Sequence, residues 1–352
     1  MNVHHECLRN LVSTTLEKAG CTASDAQSIA RHLVESNLTG HDSHGVIRLP
    51  KYLEFLRDGV FKSGLDLEIV FENDIMAIVD GQFVFGQVVA ERVMRLALDK
   101  ADHHGMAIVA LRRSGHVGRV GHFAEMAAAE GKISIHFVGT SGRGLLVAPH
   151  GGTERRLSAN PIAVGVPVEG RPPIIVDIST SVVAEGKIQV ALNKGTQLKD
   201  NSILDSDGNP TTDPKRFYTD PPGVILPFAE HKGYCLSFVC EMLAGALTGN
   251  QCTRPGVTQV SQGMLTIVLD PTKFGPKDAF QAEILQFIEY VKSSKTVTSD
   301  GEILVPGEPE ARTRAERSAN GIELDETTWS QLFEACETAG LTQGEIDGLI
   351  KN

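Results

Sequence analysis

The sequence lacks three features, each of which would indicate a different class of protein. It has no surplus of positive charge, because 33 Lys and Arg residues stand against 44 Asp and Glu residues, a net charge of −11. No run of basic residues is interleaved with aromatic ones, so we expect no nucleic-acid partner. No stretch approaches the roughly 18 apolar residues that span a bilayer, and the N-terminal segment has no apolar secretory core. We therefore expect a cytoplasmic protein that binds neither nucleic acid nor membrane.

The sequence also lacks paired cysteines. Its six cysteines are scattered without a CxxC motif: Cys7, Cys21, Cys235, Cys240, Cys252 and Cys336. Thiols stay reduced in the cytosol and pack there as small hydrophobic side chains. We expect no disulfide framework and no metal site built from these residues.

What the chain does contain is length and apolar content sufficient for a large core. Its 352 residues, 41% of them hydrophobic, predict about two domains at roughly 150 residues per domain. β-branched runs at 106–111, 133–139, 173–179 and 264–270 predict strands. Helical patterns alternate with them at 121–131, 236–247, 279–291 and 325–339, and Thr342 with Glu345 opens a last helix. The pattern indicates an α/β protein.

Three further features complete this outline. Ser24 and Gln27 have capping-box spacing, which predicts the start of an N-terminal helix that Gly40 ends. Two polar stretches, 193–223 and 293–321, are predicted to be long loops that act as lids or as arms contacting another subunit.

One glycine-rich segment resembles a dinucleotide-binding fingerprint but lacks its context. Gly139, Gly142 and Gly144 follow a predicted strand, yet Pro149 and two glycines stand where a phosphate-binding helix should begin. We interpret this segment as a turn-rich loop and not as part of a Rossmann fold.

A second glycine-rich segment is better placed. Gly115, Gly118 and Gly121 lie between a strand and a helix start, where free backbone N–H groups can bind an anion, although such spacing also serves close backbone packing. His116 stands inside this loop, and the near-neutral pKa of an imidazole suits proton exchange with an alcohol or a carbonyl.

The polar cluster His41-Asp42-Ser43-His44 allows three interpretations. Neighbouring residues cannot form a Ser-His-Asp triad among themselves, because its side chains must converge from separate elements. A metal site could draw on the histidines at 41, 44, 116, 122 and 150, but the zinc-protease pattern is missing. The third interpretation pairs His44 as general acid with Arg48, four positions on, whose guanidinium can hold a carboxylate if this turn is helical. That pair suits a 2-oxo or 2-hydroxy acid.

Polar residues also follow apolar strands elsewhere. Asp177, Ser179, Thr180 and Ser181 could bind ribose or phosphate, and Lys232 could pair with a pyrophosphate. Taken singly, such residues are more often helix caps or turns.

Six stretches together resemble the type-2 malate/L-lactate dehydrogenase family, whose members are NAD(P)-dependent and do not have the Rossmann fold. The segment GHDSHGVIRLPKYL at 40–53 and the segment SGHVGRVGHFAEMAA at 114–128 match it, and further matches follow in family order at 157–167, 177–187, 231–249 and 304–317. The segment at 228–249 is similar to the hydroxycarboxylate dehydrogenase branch in particular.

The resemblance implies a fold and a set of site residues. The fold is a mixed, largely antiparallel sheet with flanking helices, plus a helical domain formed by both chain ends. Residues 1–70, which include His44 and Arg48, would begin the helical domain, and residues 311–352 would return to it. Residues 71–310 would form the nicotinamide-binding domain. The catalytic residues would be His44, His116 and Arg48. The resemblance does not decide which histidine gives the proton. The cofactor contacts would be His44, Gly118, Arg119, Val120, Asn160, Asp177, Ser179, Thr180, Ser181, His231, Lys232, Gly307, Glu308, Arg312 and Arg314.

The resulting hypothesis is a homodimeric oxidoreductase that moves a hydride reversibly between a nicotinamide and C2 of a small 2-hydroxy acid. NAD or NADP would be the cofactor, with NAD slightly favoured, and no metal is expected. The alternatives are a cyclic-imine 2-carboxylate reductase on the same scaffold, a metal-dependent hydrolase or lyase that uses the histidines, and a non-catalytic binding protein. The identity of the 2-hydroxy acid stays open.

Overall fold

The structure is a computed structural model that describes residues 1–350. Its α-helices are α1 (His5–Lys18), α2 (Ala23–Leu38), α3 (Leu49–Arg57), α4 (Gly86–His104), α5 (Gly121–Ala129), α6 (Glu185–Lys194), α7 (Lys215–Tyr218), α8 (His231–Cys240), α9 (Lys277–Lys292), α10 (Glu308–Asn320), α11 (Glu326–Thr338) and α12 (Gln343–Ile350). A π-helical segment, Glu241–Leu247, continues α8.

The strands follow the same numbering along the chain. They are β1 (Asn2–Val3), β2 (Glu68–Glu72), β3 (Met76–Asp80), β4 (Met106–Ser114), β5 (Ile133–Ser141), β6 (Ile162–Val166), β7 (Ile174–Ile178), β8 (Ile203–Leu204), β9 (Pro210–Thr211), β10 (Val224–Ile225), β11 (Ser261–Leu269) and β12 (Ile322–Glu323).

The main sheet of the described chain has seven strands in the order β2-β3-β4-β11-β5-β6-β7. β3 pairs with β4 in parallel, and every other neighbouring pair in this sheet is antiparallel. The parallel pair is joined by α4, the crossover that parallel strands require. The late strand β11 inserts between β4 and β5, so the centre of the sheet forms only when distant parts of the chain meet. The prediction of a mixed, largely antiparallel sheet is confirmed.

The helices pack against this sheet and against one another. α4 packs on β4 and α5 on β6, and their apolar residues join one large core with those of α1 and α2. The two chain ends meet, because β1 pairs with β12 and α1 packs on α12. The helical layer built from both ends is therefore present, as the fold prediction required.

The N-terminal cap of α2 differs from the prediction. Thr22, and not Ser24, is the cap residue, and its hydroxyl accepts a hydrogen bond from the backbone N–H of Asp25. A threonine three positions before an aspartate competes with the Ser24 spacing, and the structure selects the earlier cap. At the C-terminal end, the capping box of Thr342 and Glu345 is confirmed by reciprocal hydrogen bonds.

The prediction of two long loops was wrong for much of both stretches. Within 193–223, β8 and β9 pair, β8 also pairs with β10 just beyond, and α7 covers them; buried residues such as Phe217 give this small unit its own core. Within 293–321, α10 begins at Glu308 directly after Gly307. α10 contains no buried residue, so it lacks the apolar periodicity from which a helix is predicted.

The glycine-rich segment after β5 forms a short 3-10 turn, Gly142–Gly144, that leads into a loop, as predicted. Among the described residues, no helix is long and apolar enough to cross a membrane.

Candidate active site

His44 and Arg48 lie on two consecutive 3-10 turns between α2 and α3. The turns are Asp42–His44 and Val46–Arg48, and Gly45 between them is extended, with φ −84° and ψ −155°. The continuous helical turn that the sequence interpretation invoked is therefore broken at Gly45. Only glycine fits at this position, because a Cβ at Gly45 would lie 2.2 Å from the side-chain oxygen of Asn37, which accepts a hydrogen bond from Val46 N.

The structure nevertheless brings the two predicted histidines together. The rings of His44 and His116 are nearly parallel, with centroids 5.7 Å apart and an interplanar angle of 9°. Ser43 Oγ lies 3.2 Å from His44 Nδ1, and the Tyr52 hydroxyl lies 2.7 Å from His116 Nδ1. The Nε2 atoms of both rings have no hydrogen-bond partner within the part of the chain described, so each is available to a ligand.

Arg48 lies beside these rings and is anchored by two hydrogen bonds that its own nitrogens donate. Its Nε donates to the carbonyl oxygen of Ser43 at 2.7 Å, and its Nη1 donates to Glu185 at 2.9 Å. A Cβ at Gly186 would lie 2.6 Å from Arg48 Nη2, so the start of α6 passes directly against the guanidinium. An arginine has five N–H donors, and those not engaged here can bind a carboxylate.

Burial sets the protonation of this cluster. It lowers the pKa of His116 to about 3, and the positive charge of Arg48 acts in the same direction. Burial likewise holds the pKa of His44 well below 6.5, with His116 and then Arg48 as further causes. Burial raises the pKa of Tyr52 to about 12. At neutral pH the ligand-free site therefore holds two neutral imidazoles, one neutral phenol and the cation of Arg48.

The glycine-rich loop that holds His116 is fixed from the side of α2. His32 Nε2 accepts a hydrogen bond from the backbone N–H of Arg119 at 2.9 Å. Gly118 is required at its position, because φ is +79° and a Cβ there would lie 2.3 Å from His32 Nε2. Val120 is buried at the start of α5. The loop glycines thus allow close packing, and His116 projects from a rigid segment.

The Arg119 side chain is buried next to Asp177. Its Nη2 donates to Glu125 at 2.7 Å, whereas its buried Nε and Nη1 have no hydrogen-bond partner. Asp177 accepts a hydrogen bond from Gly121 N at 2.7 Å. Burial raises the pKa of the Asp177 carboxyl, and the nearby Arg119 acts against that rise. The structure therefore joins two of the predicted cofactor residues at the N-terminus of α5.

The hydroxyl groups after β7 make local hydrogen bonds. Thr180 Oγ1 donates to the carbonyl oxygen of Ala159 at 2.8 Å, and the hydroxyls of Ser179 and Ser181 lie 2.5 Å apart. These contacts match the simpler interpretation given by the sequence, in which such residues cap a helix or stabilise a turn.

Asn160 is wholly buried and engaged by protein groups. Its Nδ2 donates to Glu241 at 2.9 Å and to Ser237 Oγ at 3.1 Å, and its Oδ1 accepts from Thr140 N at 3.3 Å. The side chain therefore ties the loop before β6 to α8 and the following π-helical segment.

The remaining predicted contacts lie on other elements. His231 and Lys232 are exposed at the N-terminus of α8. Glu308 binds Lys292 at 2.7 Å, and Gly307 adopts φ +95° against β7, where a Cβ would lie 2.7 Å from Pro173 O.

The two arginines of α10 differ in their partners. Arg314 donates to Glu125 at 2.8 Å and so joins the Arg119 network. Arg312 instead pairs with exposed Glu302 at 2.6 Å.

The sequence interpretation missed four side chains that shape the site. Tyr52 stands four positions after Arg48, a spacing that could have indicated it. Glu185 lies within a stretch that matched the family, between Ser181 and Lys187. The other two are Gln87, which donates to the Tyr52 hydroxyl at 2.6 Å, and His32; no pattern in the sequence links either to the site.

Known proteins are similar to this chain over almost its whole length. A family model described as malate/L-lactate dehydrogenase matches residues 3–333. Hydroxycarboxylate dehydrogenase B of Escherichia coli K12 is 38% identical over 343 residues, covering 96% of this chain and 94% of the relative. L-lactate dehydrogenase of Cupriavidus necator is 35% identical, covering 94% and 96%. The solved malate dehydrogenase of Pyrococcus horikoshii superposes with a TM-score of 0.87 at 32% identity, covering 97% and 96%.

Fold, site and comparisons together define an oxidoreductase that acts on 2-hydroxy acids. Its mixed sheet, with β11 inserted between β4 and β5, distinguishes it from dehydrogenases built on a parallel Rossmann sheet. The chain belongs to the malate/L-lactate dehydrogenase family. Membership of a dehydrogenase family implies a nicotinamide cofactor.

The residues present fit such a cofactor. A buried donor without a partner is costly to a folded protein, so the unpaired Nε and Nη1 of Arg119 favour a polar ligand at this point. The Asp177 carboxyl beside it already accepts from Gly121 N at the N-terminus of α5 and can accept further hydrogen bonds. By contrast, residues 1–350 contain no group of three or more His, Cys, Asp or Glu side chains arranged to hold a metal ion.

Proposed function

We propose that this chain catalyses reversible NAD(P)-dependent hydride transfer between a nicotinamide and C2 of a 2-hydroxy acid, with His116 as the proton carrier. The observation that supports it most directly is the 2.7 Å contact between His116 Nδ1 and the Tyr52 hydroxyl, next to the stacked ring of His44 and the guanidinium of Arg48. A carboxylate-binding cation and an imidazole with a free Nε2 are the two groups that a 2-oxo acid requires.

Arg48 binds the substrate carboxylate. Its anchoring by Ser43 O and Glu185 fixes the plane of the guanidinium, and the unengaged donors then determine where the carboxylate lies. Charge-assisted hydrogen bonds of this kind are roughly twice as strong as neutral ones.

His116 exchanges a proton with the substrate oxygen through Nε2. Arg119 and Asp177 would hold the nicotinamide cofactor, which would supply or accept the hydride at C2. Tyr52 holds Nδ1 in place, and its hydroxyl can accept from Nδ1–H when Nε2 is the basic atom. Binding of an anionic substrate next to His116 opposes the depression of its pKa, so the protonated form becomes accessible when a proton has to be delivered.

His44 acts next to His116. Its ring lies parallel to that of His116, and Ser43 Oγ contacts its Nδ1. We assign it to binding the substrate oxygen and the nicotinamide, which limits the rotation of both.

The cofactor contacts are proposed as the resemblance gives them, with NAD slightly favoured over NADP. Support is strongest for Arg119 and Asp177, the first with unpaired buried nitrogens and the second bonded to Gly121 N. It is weaker for the others: Gly118, Val120, Asn160, Ser179, Thr180, Ser181, His231, Lys232, Gly307, Glu308, Arg312 and Arg314. Single alanine variants at the non-glycine positions, scored by the dissociation constant of each reduced cofactor, test this assignment.

We also propose a homodimer, with one helical part formed by residues 1–70 and 311–352 and a nicotinamide-binding part formed by residues 71–310. The exposed apolar side chains of α8 and the π-helical segment support self-association: Leu236, Phe238, Val239, Met242 and Leu247. Contiguous exposed apolar surface is typical of protein interfaces. Light scattering of the purified protein measures the oligomeric state directly.

A reducing, cytoplasmic compartment is part of the same proposal. All six cysteines are free, and four of them are buried. Such thiols persist in the cytosol and are uncommon in oxidising compartments.

A panel of 2-oxo acids with NADH and NADPH tests the proposed function. We expect reduction of at least one 2-oxo acid, followed as loss of reduced-nicotinamide absorbance, and the reverse reaction with the matching 2-hydroxy acid. Turnover of a cyclic-imine 2-carboxylate without turnover of any oxo acid would contradict the proposal, as would activity that a chelator abolishes.

A further inference from the structure

The Arg48 guanidinium is paired with a carboxylate, that of Glu185, whose negative charge acts on the same site as the substrate. Glu185 Oε2 accepts from Arg48 Nη1 at 2.9 Å, and Glu185 Oε1 accepts from the Tyr218 hydroxyl at 2.8 Å. Both members of the ion pair keep about a quarter of their side-chain surface exposed, 24% for Arg48 and 23% for Glu185. The pair is therefore partly exposed to solvent and does not belong to the core.

The position of Glu185 is fixed from three directions. It is the first residue of α6, where an acidic side chain is favoured by the helix dipole. The next residue, Gly186, passes so close to Arg48 that a Cβ would lie 2.6 Å from Nη2. Tyr218 reaches it from α7, in the small unit that contains β8, β9 and β10. The carboxylate is thus a built part of the site wall.

We propose that Glu185 is a specificity-determining residue that restricts the site to 2-oxo and 2-hydroxy acids with a single negative charge and disfavours substrates that bear a second acidic group. This inference rests on the proposed function, because it assumes that Arg48 binds the substrate carboxylate. A monocarboxylate such as 2-oxobutanoate is the predicted class, and a dicarboxylate such as 2-oxobutanedioate is the disfavoured one.

Charge explains the restriction. Arg48 contributes one positive charge and Glu185 one negative charge, so this ion pair is already neutral before a substrate binds. The first substrate carboxylate binds to the remaining N–H donors of Arg48, next to Glu185. For a second acidic group on the same substrate, the attraction of Arg48 is already offset by two carboxylates, and Glu185 repels that group.

A further cation, Arg155, has most of its donors engaged by the protein. Arg155 lies close enough to Glu185 and Tyr218 to interact electrostatically with them. Its Nε donates to Gly223 O at 2.8 Å and its Nη2 donates to Phe217 O at 2.8 Å, and its guanidinium lies over the Phe217 ring. It is occupied in holding the turn that contains Tyr218, so it reinforces the position of Glu185 instead of offering a second anion site.

The test is the selectivity of Glu185→Gln, which keeps the shape and removes the charge. We expect kcat/KM for 2-oxobutanedioate relative to 2-oxobutanoate to rise about tenfold, since the Coulomb term for Glu185 is large but reduced by partial exposure. Glu185→Ala should shift the ratio in the same direction. Inhibition constants of butanedioate and butanoate, which need no turnover, should show the same change as the kinetic ratio.

Two control variants separate charge from other effects. Tyr218→Phe removes one hydrogen bond to Glu185 and keeps the charge, so the ratio should change less than threefold. Glu169→Gln removes one carboxylate from an exposed pair with Lys277, and it should leave the ratio unchanged.

The outcomes distinguish the inference from the function on which it rests. If the unaltered enzyme reduces 2-oxobutanoate but both Glu185 variants keep its selectivity and its inhibition constants within twofold, Glu185 does not set specificity and the inference is wrong. If the unaltered enzyme reduces no 2-oxo acid and binds neither inhibitor, the proposed function itself is wrong.

Discussion

Two pairs of histidine rings border the same glycine-rich loop, and they differ in the groups that their ring nitrogens contact. His44 and His116 lie nearly parallel with centroids 5.7 Å apart, whereas His32 and His122 lie edge to face with centroids 4.7 Å apart. The first pair is half-buried next to Arg48. In the second pair His32 is buried, and its Nε2 accepts from the backbone N–H of Arg119.

Burial lowers the pKa in both pairs, so a depressed pKa does not identify the catalytic histidine. The pKa of His122 falls to about 4 and that of His116 to about 3, each chiefly through burial. What differs is the partner of Nε2. In His32 this atom is used to hold the loop, and in His116 it is left free. The comparison therefore agrees with the proposed role of His116 in the chemistry and indicates a loop-positioning role for His32.

The largest expected effect separates the two pairs directly. His116→Gln should lower kcat by about 10²- to 10⁴-fold, the usual contribution of a general acid or base. His122→Gln, the matched change in the other pair, should lower kcat by less than about tenfold. Steady-state kinetics in both directions provide the measurement, and circular dichroism confirms folding. Equal losses in the two variants would remove the distinction between the pairs.

Arg48 lies next to the first pair, and its replacement should act on substrate binding. Arg48→Lys keeps the charge but cannot bind Ser43 O, Glu185 and a substrate carboxylate in one plane. We expect KM for the 2-oxo acid to rise about ten- to a hundredfold with a smaller change in kcat. An unchanged KM would show that another group binds the carboxylate.

The positioning role of the second pair should appear as lost stability. His32→Leu leaves the buried N–H of Arg119 without an acceptor, which should lower the free energy of unfolding by about 1–3 kcal/mol. Denaturant titration measures the loss. His32→Gln, whose side-chain oxygen can accept the bond, should recover part of it. Stability equal to that of the unaltered protein in His32→Leu would show that the contact does not hold the loop.

The smallest effect concerns a histidine outside both pairs, buried in β5. Burial lowers the pKa of His136 from 6.5 to about 3, so below pH 6.5 the unfolded chain takes up the proton that the folded chain refuses. Stability should therefore fall as the pH falls, by about 2 kcal/mol between pH 6.5 and pH 5 for this residue. His136→Gln should lose less stability than the unaltered protein on acidification. Replacement of exposed His104 should leave the acid-induced loss unchanged, and an equal loss in His136→Gln would contradict the assignment.

Much of the framework could be predicted from the sequence because it depends on local pattern. The β-branched runs that form β4, β5, β7 and β11 are continuous in the chain. The two residues of the capping box at the start of α12, Thr342 and Glu345, also lie within four residues of each other. By contrast, α10 has no buried face, and β8 to β10 are two-residue strands, too short to show an alternating pattern. Their formation depends on tertiary contacts.

For the site, the chain by itself determined which residue types were available and near which turns: His44 and Arg48 in one segment, and His116 in a glycine-rich loop. Only the tertiary structure decided how they are used, because hydrogen bonds between residues far apart in sequence fix each ring. Tyr52 engages Nδ1 of His116 across 64 positions, and Glu185 reaches Arg48 across 137. Such contacts leave no periodic trace in a sequence, since they depend on where separate helices and loops come to lie once the core has packed.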